Sequence, residues 1–150
     1  MSAAAYFDVD GTLVSSNLIQ PAVRILVNQE TPAASLRRLG QALLDGPRMA
    51  LAETRSRKQF NQLLFSHYKG ITADRMAILS EEIFEDIIRP ALVPGAKELV
   101  QSCKRAGLRV VLVTGSLDGT TAHLAKHLGA DDFLSNRLEM KDNRATGKLL

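Results

Sequence analysis

The stretch that decides the fold is AAAYFDVDGT, at residues 3–12. It is a mostly apolar run that ends in a polar segment containing a glycine, and this pattern predicts a buried strand followed by a loop. Asp8 and Asp10 therefore lie at the carboxyl end of the first strand. Because open α/β sheets bind ligands at the carboxyl ends of their strands, we expect both carboxylates to face a ligand crevice.

The last part of the chain has the pattern strand, helix, strand. The run LRVVLV at 108–113 predicts a second buried strand, residues 118–128 a helix, and residues 129–134 lead into a third short strand. A further helix is predicted between Pro94 and Gly107. Strand–helix–strand units form parallel sheets, so we predict an α/β fold with a Rossmann-like parallel sheet. Residues 114–116 are predicted to form the loop after the second strand.

Residues 18–88 have helical periodicity and are predicted to form an all-helical bundle. Thr31, followed by a proline, is a predicted N-cap, and Gly46-Pro47 is predicted to end that helix. Ser56 begins a capping box with a glutamine three residues later. Thr72 is predicted to cap a further helix that stops before a proline at position 90.

The two carboxylates have the spacing of a catalytic pair. Asp8 can attack a phosphorus atom and form an aspartyl-phosphate, while Asp10 protonates the leaving oxygen and later activates water. Two like charges this close need a cation, and Mg²⁺ fits because it prefers hard oxygen ligands. Gly11 allows a sharp turn, and Thr12 is expected to cap it. The alternative is an ordinary turn after a strand, since Asp and Gly favour turns for local reasons.

These motifs resemble those of the haloacid dehalogenase superfamily. YFDVDGTLV at 6–14 is similar to the first motif, and VVLVTG at 110–115 to the second. The resemblance implies that Asp8 is the nucleophile, that Asp10 is the acid/base, and that Thr114 contacts the transferring phosphate. The hydroxyl and backbone N–H groups of Thr114 and Gly115, before a helix, also suit an anion. Ser116 is the alternative, or simply the N-cap of the next helix.

The helical insertion resembles the small cap of the phosphoserine phosphatase-like branch of that superfamily. The implied division is a core of residues 1–16 plus 89–150, incomplete at its C-terminal end, and an inserted all-helical cap of residues 17–88. That branch reads the substrate amine with an acidic residue near position 17. Asn17 stands there instead, and a neutral amide does not pair with an ammonium group as a carboxylate does.

The superfamily completes its site with a lysine and one or two later aspartates. Lys141 and Lys148 fall in a segment that resembles the preceding hairpin, and Asp131 and Asp132 come before a strand rather than after one. We therefore expect a fragment of a longer protein, with doubtful activity alone. Since the family pairs a later strand beside the first strand, we also expect the first strand to lie at an open sheet edge.

The remaining candidates have simpler explanations. His123 and His127 share a helix face, but exposed or half-buried helix histidines are commoner than metal ligands. TGK at 146–148 lacks the first glycine of a P-loop. Basic residues over 37–58 are expected to be a solvated face, with Arg55 and Arg57 the best candidates for contacting an anionic substrate; the full set is Arg37, Arg38, Arg48, Arg55, Arg57 and Lys58.

Composition limits the partners. The net charge of +3 is too small to indicate nucleic-acid binding, and Cys103 is the only cysteine, which excludes an internal disulfide and fits a reducing compartment. The N-terminus lacks a basic and apolar leader, and no long apolar run suggests membrane insertion. We expect a cytoplasmic protein that acts on a small phosphorylated substrate; its oligomeric state stays open.

The sequence thus predicts a magnesium-dependent phosphomonoester hydrolase that acts on a small phosphorylated metabolite. Within enzymes, the nearest rival is phosphotransfer to an acceptor other than water. A carbon–halogen hydrolase is disfavoured, because Asp10 supplies the acid/base function that ester cleavage needs. The alternative from another class is a catalytically silent or truncated phosphate-binding or interaction module.

Overall fold

The first apolar run forms an edge strand of a three-stranded parallel sheet in the computed structural model, which describes residues 3–29 and 31–150. In chain order the elements are β1 (Ala4–Asp8), α1 (Ile19–Val27), α2 (Pro32–Leu44), α3 (Gly46–Arg55), α4 (Arg57–Ser66), α5 (Ala73–Ile83), a π-helix (Phe84–Ile88), α6 (Ala96–Arg105), β2 (Arg109–Leu117), α7 (Asp118–Leu128), β3 (Asp132–Asn136), β4 (Leu138–Lys141) and β5 (Arg144–Leu149).

The sheet has the order β1-β2-β3 with β2 in the centre, and both pairings are parallel. Val110 and Leu112 of β2 are fully buried, because the central strand is covered by helices α6 and α7 on the face they share. The predicted α/β class with a parallel sheet is confirmed. Within the described residues β1 pairs only with β2, so the expected open edge is also present.

The chain divides into two compact units, and their boundaries differ from the predicted domain boundaries. The sheet unit comprises residues 3–18 and Ala77–Asn136, and the helical unit comprises Ile19–Met76 and Arg137–Leu150. Residues 77–88, predicted to belong to the helical insertion, group with the sheet. The reason is packing against α7: Ser80 of α5 lies against Gly119, and Phe84 lies against the ring of His123.

The end of α5 differs from a regular helix. The predicted helix does stop before Pro90, but its last turn is a π-helix over Phe84–Ile88, closed by a hydrogen bond of 2.8 Å from the N–H of Arg89 to the carbonyl of Phe84. Such insertions are often found at functional sites. Here the π-helix lets Phe84 stack on the ring of His123 in α7, with 5.9 Å between centroids.

The hairpin β4–β5 belongs to the helical unit rather than to the predicted core. Its tight turn is made by Asp142 and Asn143, which have positive φ values of 49° and 61°, as a two-residue hairpin turn requires. Ala145 of β5 exchanges backbone hydrogen bonds with the segment after α4, accepting from Gly70 at 2.7 Å and donating to Ile71 at 2.8 Å. These long-range bonds leave no local sequence pattern, so the sequence did not predict them.

The helix boundaries of the helical unit follow the sequence in part. Thr31 caps α2 as predicted, since its hydroxyl oxygen accepts a hydrogen bond of 3.2 Å from the N–H of Ala34. Gly46-Pro47 was predicted to end α2, but Gly46 is the first residue of α3. Pro47 does not prevent this helix, because proline is tolerated in the first helical turn. Ser56 stands at the N-cap of α4, but its side chain makes no capping bond, so the capping-box prediction was wrong.

Candidate active site

The candidate site lies where β1 and β2 end side by side in the sheet unit. Asp8 is the last residue of β1 and is in register with Val113 of β2. The next backbone bond continues this pairing, from the N–H of Val9 to the carbonyl of Val113 at 3.1 Å. Parallel pairing therefore brings the two sequence motifs together at the carboxyl ends of these strands.

The loop after β1 is a tight turn built on one carbonyl. The oxygen of Val9 accepts bonds of 3.1, 3.0 and 3.0 Å from the N–H groups of Thr12, Leu13 and Val14. Gly11 has a φ of +78°, which confirms the predicted turn glycine, and a Cβ there would meet no atom within 4 Å. Backbone conformation, and not a lack of space, therefore requires glycine at this position.

Asp10 and Thr114 are joined although they are 104 residues apart in the chain. The hydroxyl of Thr114 donates a hydrogen bond of 2.6 Å to Oδ2 of Asp10 and accepts one of 3.0 Å from the N–H of Ser116. The threonine hydroxyl is thus fixed in orientation between a carboxylate and a backbone amide. This short, charge-assisted bond links the two motifs directly.

Asp8 is exposed at the site and has a neighbour that the sequence analysis misassigned. Thr12 was expected to cap the turn, but its hydroxyl donates a hydrogen bond of 2.9 Å to Oδ2 of Asp8. The turn at Gly11 reverses the chain between the two residues and brings this hydroxyl back to the carboxylate at the strand end.

The segment after Thr114 is not the predicted loop. Strand β2 continues through Gly115 and Ser116 to Leu117, with a shift in its register against β3 between Val113 and Leu117. The irregularity is fixed by the side-chain amide of Asn136, which donates to the carbonyl of Gly115 at 2.7 Å. Sequence reasoning missed this asparagine, because the contact depends on the register of two strands rather than on a motif.

Asp8 and Asp10 are the residues at this edge that can hold a hard cation. Both supply carboxylate oxygens, and Mg²⁺ usually takes only one or two carboxylates and completes its shell with water and phosphate oxygens. Among the residues that the structure describes, there is no cluster of three or more His, Cys, Asp or Glu side chains. The donor set therefore fits Mg²⁺ better than a metal that needs a full protein cage.

The other titratable candidates lie elsewhere and have partners of their own. His127, like His123, packs against the ring of Phe84, at 5.7 Å between centroids. Burial, and then the positive charges of Lys97 and Arg89, lower the pKa of His127, although Glu85 opposes them.

The acidic pair before β3 is likewise engaged away from the candidate site. Asp131 pairs with Lys104 at 2.6 Å, and Asp132 pairs with Arg109 at 2.9 Å. Both partners lie on the sheet unit, at the end of α6 and the start of β2. These aspartates therefore tie elements together instead of joining Asp8 and Asp10.

The basic segment at 37–58 is only partly the expected solvated face. Arg55 and Arg57 are exposed, and exposed Arg48 reaches Asp45 at 3.4 Å. Arg38 is different: it is half-buried and donates to the carbonyls of His67 at 2.6 Å and Lys69 at 2.8 Å. One arginine of this segment is therefore built into the helical unit.

Comparison with known proteins agrees with this fold and these motifs. Residues 5–150 match the family model of haloacid dehalogenase-like hydrolases. The chain is similar to a phosphoserine phosphatase of Streptococcus thermophilus, at 31% identity over 95% of this chain and 58% of the relative. It is 28% identical to a phosphoserine phosphatase of Albidiferax ferrireducens over 96% of this chain and 54% of that protein.

Among solved structures, a phosphoserine phosphatase described as a phospho-aspartyl intermediate analogue superposes with a TM-score of 0.64 at 21% identity, over 99% of this chain and 62% of the other. The chain thus spans little more than half the length of the two curated relatives. Because the family model covers nearly the whole chain and both motifs meet at one sheet edge, the chain belongs to the haloacid dehalogenase-like hydrolases.

Proposed function

We propose that this chain carries the nucleophile part of a phosphomonoester hydrolase that acts on a small phosphorylated metabolite. The observation that carries the proposal is the bond of 2.6 Å between Thr114 and Asp10 beside Asp8, at the carboxyl end of a parallel sheet. The relatives named phosphoserine phosphatase support this class of reaction. Because this chain covers little more than half of these relatives, the activity is proposed for the whole protein and not for these 150 residues alone.

In the first half-reaction Asp8 is the nucleophile. Oδ2 of Asp8 already accepts the hydroxyl of Thr12, so we assign the attack on phosphorus to Oδ1. The new Oδ1–P bond forms as the ester P–O bond breaks, and the leaving alkoxide takes a proton from Asp10. The hydroxyl of Thr114 donates to Oδ2 of Asp10. We assign the proton transfer to the other carboxyl oxygen, Oδ1, which this bond leaves available to the leaving group.

In the second half-reaction a water attacks the phosphorus of the aspartyl-phosphate. Asp10 accepts the proton of that water, the bond to Asp8 breaks, and inorganic phosphate leaves with both side chains restored. Thr114 and Gly115 are proposed to contact the phosphate with backbone N–H groups, since the hydroxyl proton of Thr114 is already donated to Asp10 and the start of α7 directly follows their strand. Each residue thus returns to its starting state after one turnover.

Asp8 and Asp10 are the residues that would hold Mg²⁺. When bound, the cation would offset the negative charge that the carboxylates and the phosphate bring to the site. The exposure of Asp8 at the site supports this assignment, since Mg²⁺ keeps several waters in its shell.

The helical unit is proposed to act as the cap that selects the substrate. We propose its extent as Ile19–Met76 with Arg137–Leu150, in place of the insertion of residues 17–88. Its exposed arginines Arg55 and Arg57 suit an anionic substrate group. Since Asn17 is neutral, we propose a substrate other than phosphoserine itself.

We also propose a cytoplasmic location and no nucleic-acid partner, on the small net charge and the lone Cys103. Within the described residues, no helix has the length and apolar character needed to cross a bilayer.

The chemistry is tested with p-nitrophenyl phosphate and Mg²⁺. Asp8→Asn is expected to abolish turnover, because an amide is not a nucleophile here, and a chelator is expected to do the same to the wild type. Asp74→Asn, an exposed carboxylate in the helical unit, is the matched control and should leave turnover unchanged. Unchanged turnover in Asp8→Asn contradicts the mechanism.

The second candidate is a catalytically silent phosphate-binding module. It is favoured by the position of Lys141 and Lys148, which lie on the β4–β5 hairpin of the helical unit and not in the unit that holds Asp8. Fluorine NMR with beryllofluoride and Mg²⁺ separates the two candidates. Binding that depends on Asp8, without turnover of the phosphate ester, supports the silent module.

A further inference from the structure

A small cavity of about 160 Å³ lies wholly within the helical unit. Three arginines line it, from three different segments: Arg38 of α2, Arg75 of α5 and Arg144 of β5. None of the described residues that line the cavity is acidic. Three guanidinium groups from three segments therefore share one cavity.

The three guanidinium groups are held in place by neutral acceptors. Arg38 donates to two carbonyls, as described above, Arg75 donates to the carbonyl of Asn28 at 2.8 Å, and Arg144 donates to that of Gly70 at 2.8 Å. Carbonyl oxygens fix the orientation of a guanidinium but do not neutralise its charge. The guanidinium groups are thus preorganised, and the described acceptors leave their charges in place.

Two donors in this cluster lack a partner. The Nε atoms of Arg38 and Arg75 are buried and make no hydrogen bond. Buried polar groups are almost always hydrogen-bonded, and a charged donor left unpaired is more costly than a neutral one. The described residues therefore do not use the full donor capacity of these two guanidinium groups.

Two helices also begin at the cavity. Thr31, the N-cap of α2, and Thr72, whose hydroxyl accepts from the N–H of Arg75 at 3.3 Å at the start of α5, both line it. Helix N-termini carry partial positive charge that favours anions. Burial, and then the neighbouring charge of Arg37, lower the pKa of Arg38.

We propose that this cavity is a binding site for a compact oxyanion, either inorganic phosphate or the phosphate group of a small metabolite. The guanidinium groups of Arg38 and Arg75, which line the cavity, would donate to its oxygens, and Arg144 would close the site from the hairpin. All of these residues belong to the helical unit, whereas Asp8, Asp10 and Thr114 belong to the sheet unit. The proposed site is therefore built from residues of the helical unit alone.

The direct test is an NMR titration of the full chain that follows the arginine Nε–H resonances. Inorganic phosphate is added without Mg²⁺ at physiological ionic strength, and the resonances of Arg38 and Arg75 are expected to shift with a saturable profile. The same titration with glycerol 3-phosphate separates the two sources. Tighter binding of either ligand supports the site and identifies its natural occupant, whereas no shift at millimolar concentrations of both overturns it.

Variants decide whether the cavity itself binds the anion. Arg75→Gln and Arg144→Gln are expected to raise the Kd for phosphate by about tenfold or more, as each removes a charge-assisted donor. Arg37→Gln removes the same charge next to the cavity but outside it, and is expected to change the Kd less than about twofold. If Arg37→Gln and Arg144→Gln weaken phosphate binding equally, binding depends only on the overall charge of the region, and the proposed site is refuted.

Two further comparisons exclude misfolding and binding at the catalytic residues as explanations of the result. Arg144 is exposed and makes one backbone contact, so Arg144→Gln decides the matter if Arg75→Gln does not fold. Thr114→Ala lies in the proposed catalytic unit, and phosphate binding at the cavity should persist in it. Loss of the arginine shifts in Thr114→Ala would assign the binding to the catalytic site instead.

Discussion

At the scale of single residues, the candidate site depends on hydroxyl groups that fix carboxylates. Thr114 holds Asp10, and Thr12 holds Asp8, each through one carboxylate oxygen. The sequence predicted the two aspartates and Thr114, because their motif spacing is local. It did not predict the contact of Thr12 with Asp8, since a hydroxyl after a turn can bond either backbone or side chain and only the coordinates decide.

Thr114→Val tests the positioning of Asp10. Valine keeps the shape of threonine but removes the hydroxyl, so turnover of p-nitrophenyl phosphate by the active protein is expected to fall by about 100-fold. Thr114→Ser keeps a hydroxyl and should retain most of the activity. Steady-state kinetics measure both, and equal rates in the serine and valine variants would show that the hydroxyl does not matter.

Two helical glycines give opposite predictions on stability. A Cβ at Gly119, in α7, would lie 2.5 Å from Oγ and 3.1 Å from Cβ of the buried Ser80. Gly119→Ala is therefore expected to lower the free energy of unfolding by about 1–3 kcal/mol. Gly40, in α2, would meet nothing within 4 Å, so Gly40→Ala is expected to raise it by up to about 1 kcal/mol.

Urea unfolding of both glycine variants checks these signs. The double variant Gly119→Ala with Ser80→Ala should recover part of the loss, because it removes the closest atom. A neutral or stabilising Gly119→Ala would mean that α7 moves away from Ser80 at little cost.

At the scale of elements, Asp131 ties three parts of the sheet unit together. It precedes β3, accepts from Lys104 of α6 at 2.6 Å and accepts from the N–H of Val110 in β2 at 2.8 Å. The bond from Lys104 and then the bond from Val110 lower the pKa of Asp131. Because the folded pKa lies below the unfolded one, Asp131 stabilises the fold above the unfolded value, and this stabilisation is lost as the pH falls through the folded value.

Asp131→Asn tests that contribution. Asparagine can still accept from Val110, so the variant isolates the charge. The difference in unfolding free energy from the wild type is expected to be complete at pH 7 and to shrink below about pH 4, near the ordinary aspartate pKa. In a Lys104→Met background the difference should depend much less on pH. Equal dependence in both backgrounds would contradict the role of Lys104.

The bounds of an element were predictable where a local residue pattern sets them. They were not predictable where contacts with distant segments of the chain set them. The limits predicted for α7 from its sequence match Asp118–Leu128, since a strand end and Gly129 bound it. The extension of β2 through Leu117 was missed because Asn136 of β3 supports it from a neighbouring strand. The assignment of β4–β5 to the helical unit likewise depends on backbone bonds to Gly70 and Ile71.

At the scale of the whole molecule, the sheet has an exposed apolar surface beside its open edge. Tyr6 of β1 is 66% exposed and Leu134 of β3 is 59% exposed, and Val113 of β2, in register with Leu134, is 37% exposed. Open edges with apolar neighbours favour pairing with other chains. The sequence predicted the edge but not the exposed face.

Leu134→Lys is expected to reduce self-association of this chain, because a charge on the exposed apolar face of the sheet opposes its burial against another chain. Light scattering over a range of protein concentrations measures the effect. Leu36→Lys is the matched control, since Leu36 is 73% exposed on α2 in the helical unit. If both variants, or neither, change the association, the sheet face is not its cause.

The long separation of Asp10 and Thr114 also has a kinetic consequence. Local helices can form in microseconds, but joining these residues must close a loop of 104 positions, and such contacts are slow. On the ribosome, Asp10 emerges seconds before its partner is made. The site is therefore among the last features to be assembled, so its appearance reports that the sheet has folded.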